Sequence, residues 1–396
     1  MLSTRAKSLK PSPTLAISAM EKTLKAKGID VAGFGAGEPD FPTPDHIKEA
    51  AIKAINDNFT RYTPATGTDE LKDAVMDKFK RDNGLSYTRE EVIITCGGKH
   101  ALFNLFQAIL DDGDEVIIPV PYWVSYPAMV ELCGGKPVFL ETYEEDEFEI
   151  DVKRLKSLVN PRTKAIVLNY PSNPAGSVYS TKTLEEVGKI AVEKNLLIIS
   201  DEIYEKIAYE GYNHISIASI DEKVKERTII CHGVSKTYSM TGWRIGFAAG
   251  NKDIIKAMGN IQSQSTSNPT SISQVAALAA LTGPQEPVKQ MVAEFLKRRD
   301  YIVRELNAIP DIKCFNPKGA FYVFPNFSSA LGKKHGDKMI NSSTSLTEVL
   351  LESYHVAVVP GVEFGKEGYL RLSFATSMDV IEKGLKRIKE AISSLK

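Results

Sequence analysis

The stretch Ser235-Lys-Thr-Tyr-Ser-Met-Thr-Gly-Trp-Arg-Ile-Gly246 lies between two apolar runs and carries a hydroxyl, a lysine and an arginine. Ser235 directly precedes Lys236, and Arg244 follows further along the same glycine-containing segment. The flanking segments, 228–232 and 243–249, are typical of buried strands. Most isolated lysines are solvated surface charges, but charges set between buried strands need a partner. We therefore expect Lys236 and Arg244 to face a ligand.

One cofactor combines the groups that these side chains bind well. A lysine amine forms an imine with an aldehyde, whereas a hydroxyl and a guanidinium hold a phosphate. Pyridoxal 5'-phosphate carries both an aldehyde and a phosphate. The stretch therefore predicts a pyridoxal phosphate site, with Lys236 bonded to the aldehyde carbon and with Ser235 and Arg244 at the phosphate.

From about Glu91 onward, short apolar runs alternate with helical patterns. Strands are predicted at 92–95, 115–119, 164–169, 196–201, 227–231 and 244–249, with helices including 124–132 and 181–194 between them. This alternation indicates an α/β fold with a mostly parallel sheet covered on both faces. Ligands of such sheets bind at the carboxyl ends of the strands. Residues 97–99, 169–174 and 201–204 lie at such ends.

The pattern changes at Gly283-Pro-Gln-Glu-Pro287, which precedes a predicted long helix over 288–307. Strand-rich segments, among them 319–324, and a last amphipathic helix from Asp379 follow, which indicates a second, smaller α/β domain. We expect residues 46–284 to form the large cofactor-binding domain and residues 285–396 the small C-terminal domain. Residues 1–45 are expected to be an N-terminal segment that packs with the small domain.

Composition excludes several classes of partner for this chain of 396 residues. Lys+Arg number 49 and Asp+Glu 50, so no basic face for nucleic acid is predicted. The four cysteines, Cys96, Cys133, Cys231 and Cys314, have no metal-type spacing, and we expect buried free thiols and no metal. No apolar run has the length of a signal peptide or a membrane span. A soluble cytoplasmic protein is therefore expected.

Two further segments suit the proposed cofactor. Asp201 ends the apolar run 196–200, where a carboxylate needs a cation or hydrogen-bond donors. Opposite the pyridine nitrogen it would keep that nitrogen protonated; the alternative is a helix N-cap. Gly97-Gly98-Lys99 opens a helix after a strand, and free N–H groups at a helix start bind phosphate. An ordinary glycine turn is the alternative there.

These segments together resemble the class I aminotransferases of fold type I. The resemblance rests on Ser235–Gly246 and on an ordered set of motifs along essentially the whole chain. The motifs are Gly35-Ala-Gly-Glu-Pro-Asp-Phe41, Arg61-Tyr-Thr63, Gly97-Gly-Lys99, Pro121-Tyr-Trp-Val-Ser-Tyr126, Asn169-Tyr-Pro-Ser-Asn-Pro174, Asp201-Glu-Ile-Tyr204 and Arg371-Leu-Ser-Phe374. The most similar group is the prokaryotic-type aspartate aminotransferases, some of which also use prephenate. The resemblance implies a fold-type I pyridoxal-phosphate-dependent transferase, with a mostly parallel seven-stranded sheet covered by helices and a smaller α/β domain.

The resemblance also implies roles around the cofactor. Lys236, Asp201 and Tyr204 would be catalytic. Tyr204 and Asn173 would hydrogen-bond the phenolic oxygen of the cofactor, and Trp123 would stack on its ring. Gly97, Gly98 and Lys99 would lie at the phosphate. Tyr62 would reach the phosphate of a neighbouring subunit, which implies a homodimer with shared active sites.

For the substrate, the resemblance implies that Arg371 binds the α-carboxylate with Asn173, Trp123 and the backbone of Gly37. The segment 262–269 lacks the arginine that binds the distal carboxylate in animal and enteric enzymes. Lys99, with Ser12 and Thr14, matches the alternative carboxylate site of the prokaryotic group, and Lys10 matches a lysine linked to prephenate use.

The implied function is amino transfer between aspartate and 2-oxoglutarate, with prephenate as a further substrate. Three alternatives stay open: an aminotransferase for aromatic or neutral amino acids, a pyridoxal phosphate lyase or decarboxylase of the same fold, and a non-catalytic cofactor-sensing domain of a transcription regulator. The last normally follows a DNA-binding module, whereas the motifs here begin by about residue 30.

Overall fold

A computed structural model describes residues 1–3, 6–7, 9 and 13–396. The strands in chain order are β1 (Ala32–Gly33), β2 (Val92–Thr95), β3 (Glu115–Val120), β4 (Lys136–Glu141), β5 (Thr163–Asn169), β6 (Leu197–Asp201), β7 (Thr228–Gly233), β8 (Gly246–Ala249), β9 (Tyr322–Val323), β10 (Lys334–His335), β11 (Lys338–Met339), β12 (Val356–Ala357), β13 (Val359–Pro360) and β14 (Leu370–Ser373). The helices are α1 (Pro13–Ala26), α2 (Asp45–Asn56), α3 (Asp69–Asn83), α4 (Gly98–Ile109), α5 (Ser125–Leu132), α6 (Val152–Leu158), α7 (Thr181–Lys194), α8 (Glu222–Arg227), α9 (Lys252–Ser265), α10 (Ser271–Thr282), α11 (Glu286–Asn307), α12 (Ser343–Tyr354) and α13 (Met378–Ser394).

Seven strands form one sheet in the order β2-β8-β7-β6-β5-β3-β4. Strand β8 pairs antiparallel with both of its neighbours, and the other pairs are parallel. The predicted mostly parallel, seven-stranded α/β sheet is therefore confirmed.

Both faces of this sheet are buried under helices. Ile117, Leu168 and Ile198 pack on one face beneath α6, α7 and α8, in one apolar cluster. Their neighbours Ile118 and Ile199 point to the other face, beneath α4, α5 and α9. Because side chains alternate along a strand, burial on both faces requires the continuous apolar runs that the sequence shows.

Three of the differences between the predicted and the observed strands concern the seven-stranded sheet and β9. Arg244 lies outside β8 and has φ 58, because the chain turns there before the strand begins. Strand β4 was not predicted. It lies at the edge of the sheet, and because its side chains range from exposed to buried, its sequence has no continuous apolar run. The strand predicted at 319–324 is limited in the structure to the two residues of β9, because the flanking residues do not continue the hydrogen-bonding pattern of that strand.

The C-terminal part has its own sheet and core. Strands β13, β14 and β9 form an antiparallel sheet, which packs with α11, α12 and α13 around residues such as Phe295 and Leu372. Strand β1 pairs in parallel with β12, so the chain near Phe34 contacts this part. The boundaries of the domains stay a prediction.

The cysteines are less buried than expected. Cys231 and Cys314 are buried, but Cys96 and Cys133 are half-buried because they lie at the ends of a strand and a helix, where the chain turns. All four are free thiols. No helix within the described ranges has the length and apolar character needed to cross a membrane.

Candidate functional site

A cleft of about 730 Å³ lies at the carboxyl ends of the central strands β5, β6 and β7. It brings together most of the residues that the sequence predicted. Those that line it are Gly37, Gly98, Lys99, Trp123, Asn173, Asp201, Tyr204, Ser235, Lys236, Arg244 and Arg371.

Lys236 lies in the turn after β7 and extends its amine into the cleft. Its Nζ donates a hydrogen bond to the Gly37 carbonyl oxygen at 2.6 Å. Removal of the ammonium group from water lowers the pKa of Lys236 to about 8, and the charges of Arg244 and Arg371 act in the same direction while Glu38 and Asp201 oppose them. This amine therefore loses its proton at a lower pH than an ordinary lysine does.

The start of α4 forms the positively charged end of the cleft. Gly97 has φ 91, a conformation that favours glycine, and a Cβ there would collide with the Arg244 guanidinium. That guanidinium donates to the Thr241 carbonyl oxygen at 2.9 Å and to the Cys96 carbonyl oxygen at 3.3 Å. Free backbone N–H groups, the helix dipole, Arg244 and the hydroxyl of Ser235 all suit an anion such as phosphate.

Asp201 ends β6 and is buried. Tyr126 donates its phenolic proton to Asp201 Oδ2 at 2.6 Å, and the Ile203 N–H donates to Oδ1 at 3.3 Å. Burial raises the pKa of Asp201 to about 6, although both hydrogen bonds oppose that rise. Residues 203–206 form turns and no helix begins directly after Asp201, so Asp201 does not cap a helix. A buried carboxylate of this kind suits a cationic ligand group.

Arg371 is buried on β14 and its guanidinium is only partly satisfied. It donates to Asn173 Oδ1 at 3.2 Å and to the Gly35 carbonyl oxygen at 2.7 Å. Its Nε is buried and has no partner among the described residues. Since buried donors are almost always paired, this atom indicates a missing acceptor, such as the carboxylate of a ligand.

Asn173 is itself held in place by Asn169, which also lines the cleft. The Asn173 backbone N–H donates to Asn169 Oδ1 at 2.9 Å, and Asn169 Nδ2 donates to the Asp201 carbonyl oxygen at 3.0 Å. The amide of Asn169 therefore connects the turn that carries Asn173 to the strand that carries Asp201.

Lys99 and Trp123 lie together on the wall of the cleft. The Lys99 Nζ is 4.9 Å from the centre of the Trp123 ring. Burial, followed by the charge of Arg244, lowers the pKa of Lys99. A second positive group thus lies in the cleft, separate from Arg371.

Two of the predicted residues that the structure describes, Gly97 and Tyr62, do not line this cleft. Gly97 shapes it through Arg244, as described above. Tyr62 is exposed to 90% on the surface, away from the lining residues of its own chain. Lys10 and Ser12 lie outside the described residues, and so does the side chain of Thr14.

The sequence analysis missed three residues with direct contacts to the site. These are Tyr126, Asn169 and Tyr322, whose hydroxyl lies 2.8 Å from that of Tyr204. Tyr126 and Asn169 belong to motifs that the sequence analysis identified. Tyr126 lies close to Trp123 in the sequence, and Asn169 lies at the end of a predicted strand, so both could have been recognised as site residues. Tyr322 lies between apolar residues in the sequence, a pattern that is typical of a core position.

Comparison with known proteins gives a consistent result. Residues 29–388 match the family described as "Aminotransferase class I and II". The chain is 50% identical over 394 residues to the aspartate aminotransferase of Bacillus subtilis (strain 168), covering 99% of this chain and 98% of the relative. It is 48% identical over 397 residues to the probable aspartate/prephenate aminotransferase of Rickettsia felis, covering 100% and 97%. The crystal structure of the aspartate aminotransferase from Rhizobium meliloti superposes with a TM-score of 0.96 at 43% identity, covering 100% of both chains.

Proposed function

Because this chain belongs to the class I and II aminotransferase family, we propose that it transfers the amino group of aspartate to 2-oxoglutarate with pyridoxal 5'-phosphate as its cofactor. The relatives described above, which are named for aspartate or for aspartate and prephenate, support this substrate class. Prephenate is proposed as a further amino acceptor.

One observation carries the proposal most directly. The buried Arg371, with its unpartnered Nε, shares a cleft with the amine of Lys236. A guanidinium binds a carboxylate in a planar, two-pronged arrangement. An amino acid held by its α-carboxylate at Arg371 would therefore present its amino group and Cα toward Lys236.

The residues fit the proposed cofactor. The collision that a Cβ on Gly97 would make with Arg244 shows that the backbone and guanidinium approach each other closely there, as an anion cradle requires. Ser235, Arg244 and the start of α4 would hold the phosphate, Asp201 would lie at the pyridine nitrogen, and Trp123 would lie against the ring. When bound, pyridoxal phosphate supplies an aldehyde for amine exchange and a protonated ring that accepts negative charge from Cα.

One amine and one carboxyl group of the chain would control the protons in this reaction. Lys236 Nζ, once unprotonated, can remove the proton from the substrate Cα and return a proton on the other side of the exchange. Its lowered pKa favours this task at neutral pH. Asp201 would keep a proton on the ring nitrogen through charge attraction, with Tyr126 fixing the direction of its carboxylate.

Lys99 would bind the distal carboxylate of aspartate. It is a cation on the wall of the cleft, and the segment 262–269 has no arginine to serve instead. Ser12 and Thr14 are proposed to assist it.

The protein is further proposed to be a cytoplasmic homodimer whose domains divide near residues 45 and 284. The free thiols support a reducing compartment. Ile52, Ile55, Phe59 and Tyr62 are close in the sequence and are all exposed, which supports an interface that would cover them.

An assay of amino donors tests the function. Purified protein with pyridoxal phosphate should form glutamate from aspartate and 2-oxoglutarate faster than from alanine or phenylalanine. Release of carbon dioxide or ammonia without glutamate would instead identify a decarboxylase or a lyase.

A further inference from the structure

We infer that Tyr322 is a positioning residue that couples the carboxylate site to the cofactor site, an inference that rests on the proposed function. Tyr322 lies on β9, in the C-terminal part of the chain, and is 1% exposed. It lines the cleft with Arg371 and Tyr204.

The register of two strands places Tyr322 beside Arg371. Strand β9 pairs antiparallel with β14, so that Tyr322 lies opposite Ser373. Arg371 is two residues before Ser373 and therefore projects from the same face of the sheet. Such diagonal neighbours are within reach of aromatic and long side chains. A one-residue shift of this register would remove the contact.

The ring of Tyr322 supports the guanidinium of Arg371. The Arg371 Cζ lies 4.7 Å from the centre of the Tyr322 ring and 5.2 Å from that of Phe364. Contact with these rings restricts the plane of a guanidinium whose Nη atoms bond to Asn173 and Gly35. The unpartnered Nε belongs to the same planar group and is thereby held in one orientation.

The hydroxyl of Tyr322 contacts the other site. It lies 2.8 Å from the hydroxyl of Tyr204, which is also buried. A tyrosine hydroxyl has one proton and two acceptor positions. If Tyr322 donates to Tyr204, the proton of Tyr204 is left for the phenolic oxygen of the cofactor. A Cβ on Gly37 would lie 3.0 Å from the Tyr322 hydroxyl, so this hydroxyl also packs against the segment that accepts from Lys236.

Tyr322 thus has two separable functions in one side chain. Its ring acts on the orientation of Arg371, and its hydroxyl acts on the proton of Tyr204. Tyr204 precedes Tyr322 by 118 residues, so Tyr322 joins two distant segments of the chain. Two substitutions separate the functions: Tyr322→Phe removes the hydroxyl, and Tyr322→Leu removes the ring as well.

The experiment uses the holoenzyme and two measurements other than turnover. Affinity for succinate, a dicarboxylate without an amino group, is measured by calorimetry. The ratio of the two absorption bands of bound pyridoxal phosphate is measured at one fixed neutral pH. Phe327→Leu is the matched control, because Phe327 is a fully buried aromatic residue of the same apolar cluster that does not line the cleft.

We expect Tyr322→Phe to change the band ratio severalfold toward the protonated form while succinate affinity stays within about twofold of wild type. Tyr322→Leu should show the same band change and bind succinate about tenfold more weakly, as expected for a lost cation–π contact. Phe327→Leu should change neither quantity. If Tyr322→Leu does not fold, Tyr322→Met, which fills the space without a ring, replaces it.

The inference is overturned if Tyr322→Phe leaves the band ratio unchanged, or if Tyr322→Leu binds succinate as Phe327→Leu does. Failure of the proposed function looks different. In that case the wild-type holoenzyme would form no glutamate from aspartate and 2-oxoglutarate, while the calorimetric comparison would still decide whether Tyr322 supports Arg371.

Discussion

Tyr126 donates its hydroxyl proton to Asp201 Oδ2 at 2.6 Å, and both side chains are buried and line the cleft. The bond joins α5 to the end of β6 and adjoins Trp123, whose ring centre is 5.2 Å from that of Tyr126. A carboxylate that is fixed in this way can face a cationic group without reorganisation, which is a common source of electrostatic stabilisation in enzymes.

We therefore predict that Tyr126→Phe slows removal of the substrate Cα proton about tenfold, because Asp201 loses one of its two hydrogen bonds. Asp201→Ala should slow the same step by orders of magnitude. Stopped-flow single turnovers with Cα-deuterated aspartate measure the step. Tyr122→Phe is the control, since Tyr122 lies in the same segment but its hydroxyl has no bond to Asp201. Equal rates for Tyr126→Phe and wild type would limit Tyr126 to packing.

The pKa of Asp201 predicts a pH-dependent gain in stability for Asp201→Asn in the absence of cofactor. The folded pKa of about 6 exceeds the ordinary value of 3.8, so the folded state binds more protons than the unfolded state between these values. This contribution to wild-type stability is complete below about pH 4 and lost as the pH rises through about 6. The asparagine variant lacks this loss, and it should unfold at a temperature about 3 °C higher at pH 7.5 but close to wild type at pH 4. Scanning calorimetry of both apoproteins measures this, with the exposed Asp253→Asn as control; a variant less stable than wild type at pH 7.5 contradicts it.

Lys236 should be the lysine that bonds to the cofactor. Borohydride reduction of the holoenzyme should place the label on the peptide that contains Lys236, and a label on another lysine would refute the assignment. Lys236→Ala should still bind pyridoxal phosphate, because the phosphate and ring contacts remain, but lose nearly all turnover.

The same amine should react with acylating reagents according to its lowered pKa. In the apoprotein, the modification rate of Lys236 should rise about tenfold per pH unit below its pKa of about 8 and level off above it. An exposed lysine such as Lys389 serves as the internal reference in the same mass spectra. A Lys236 profile that continues to rise up to pH 10 would contradict the lowered pKa.

Lys99→Ala should reduce kcat/KM for aspartate and glutamate far more than for alanine or phenylalanine. The expected cost for acidic substrates is about 2–3 kcal/mol, because the distal carboxylate loses its charged partner. Lys22→Ala is the control, since Lys22 also lines the cleft but is exposed on α1. Equal losses for acidic and neutral substrates would mean that Lys99 acts at the phosphate end.

Mixing two differently impaired variants tests whether Tyr62 serves a neighbouring subunit. Tyr62→Phe should weaken cofactor binding, and Lys236→Ala should abolish turnover. In a hybrid dimer, the subunit with an intact Lys236 receives an intact Tyr62 from its partner, so one site regains wild-type cofactor affinity. If Tyr62 acts within its own subunit, the hybrid shows no such recovery; a monomeric active enzyme in sedimentation would also refute the sharing.

The sequence by itself determined the fold class and most of the cleft. Strands buried on both faces must be continuously apolar, as in the runs that become β5 and β6, and ligand groups of such a sheet must follow the strand ends. Lys236, Asp201 and the glycines at 97–98 could therefore be located from their positions after strands. The chemistry of a lysine, a hydroxyl and an arginine in one segment was sufficient to propose the cofactor.

Only the tertiary structure decided which side chains act through others. Arg244 leaves its predicted strand because the chain must turn to bring the guanidinium against Gly97. Tyr322 is unremarkable in its apolar segment, and its contacts arise from the register of β9 against β14 and from the approach of Tyr204. Contacts between residues far apart in the chain depend on packing geometry, and no local pattern of residues encodes that geometry.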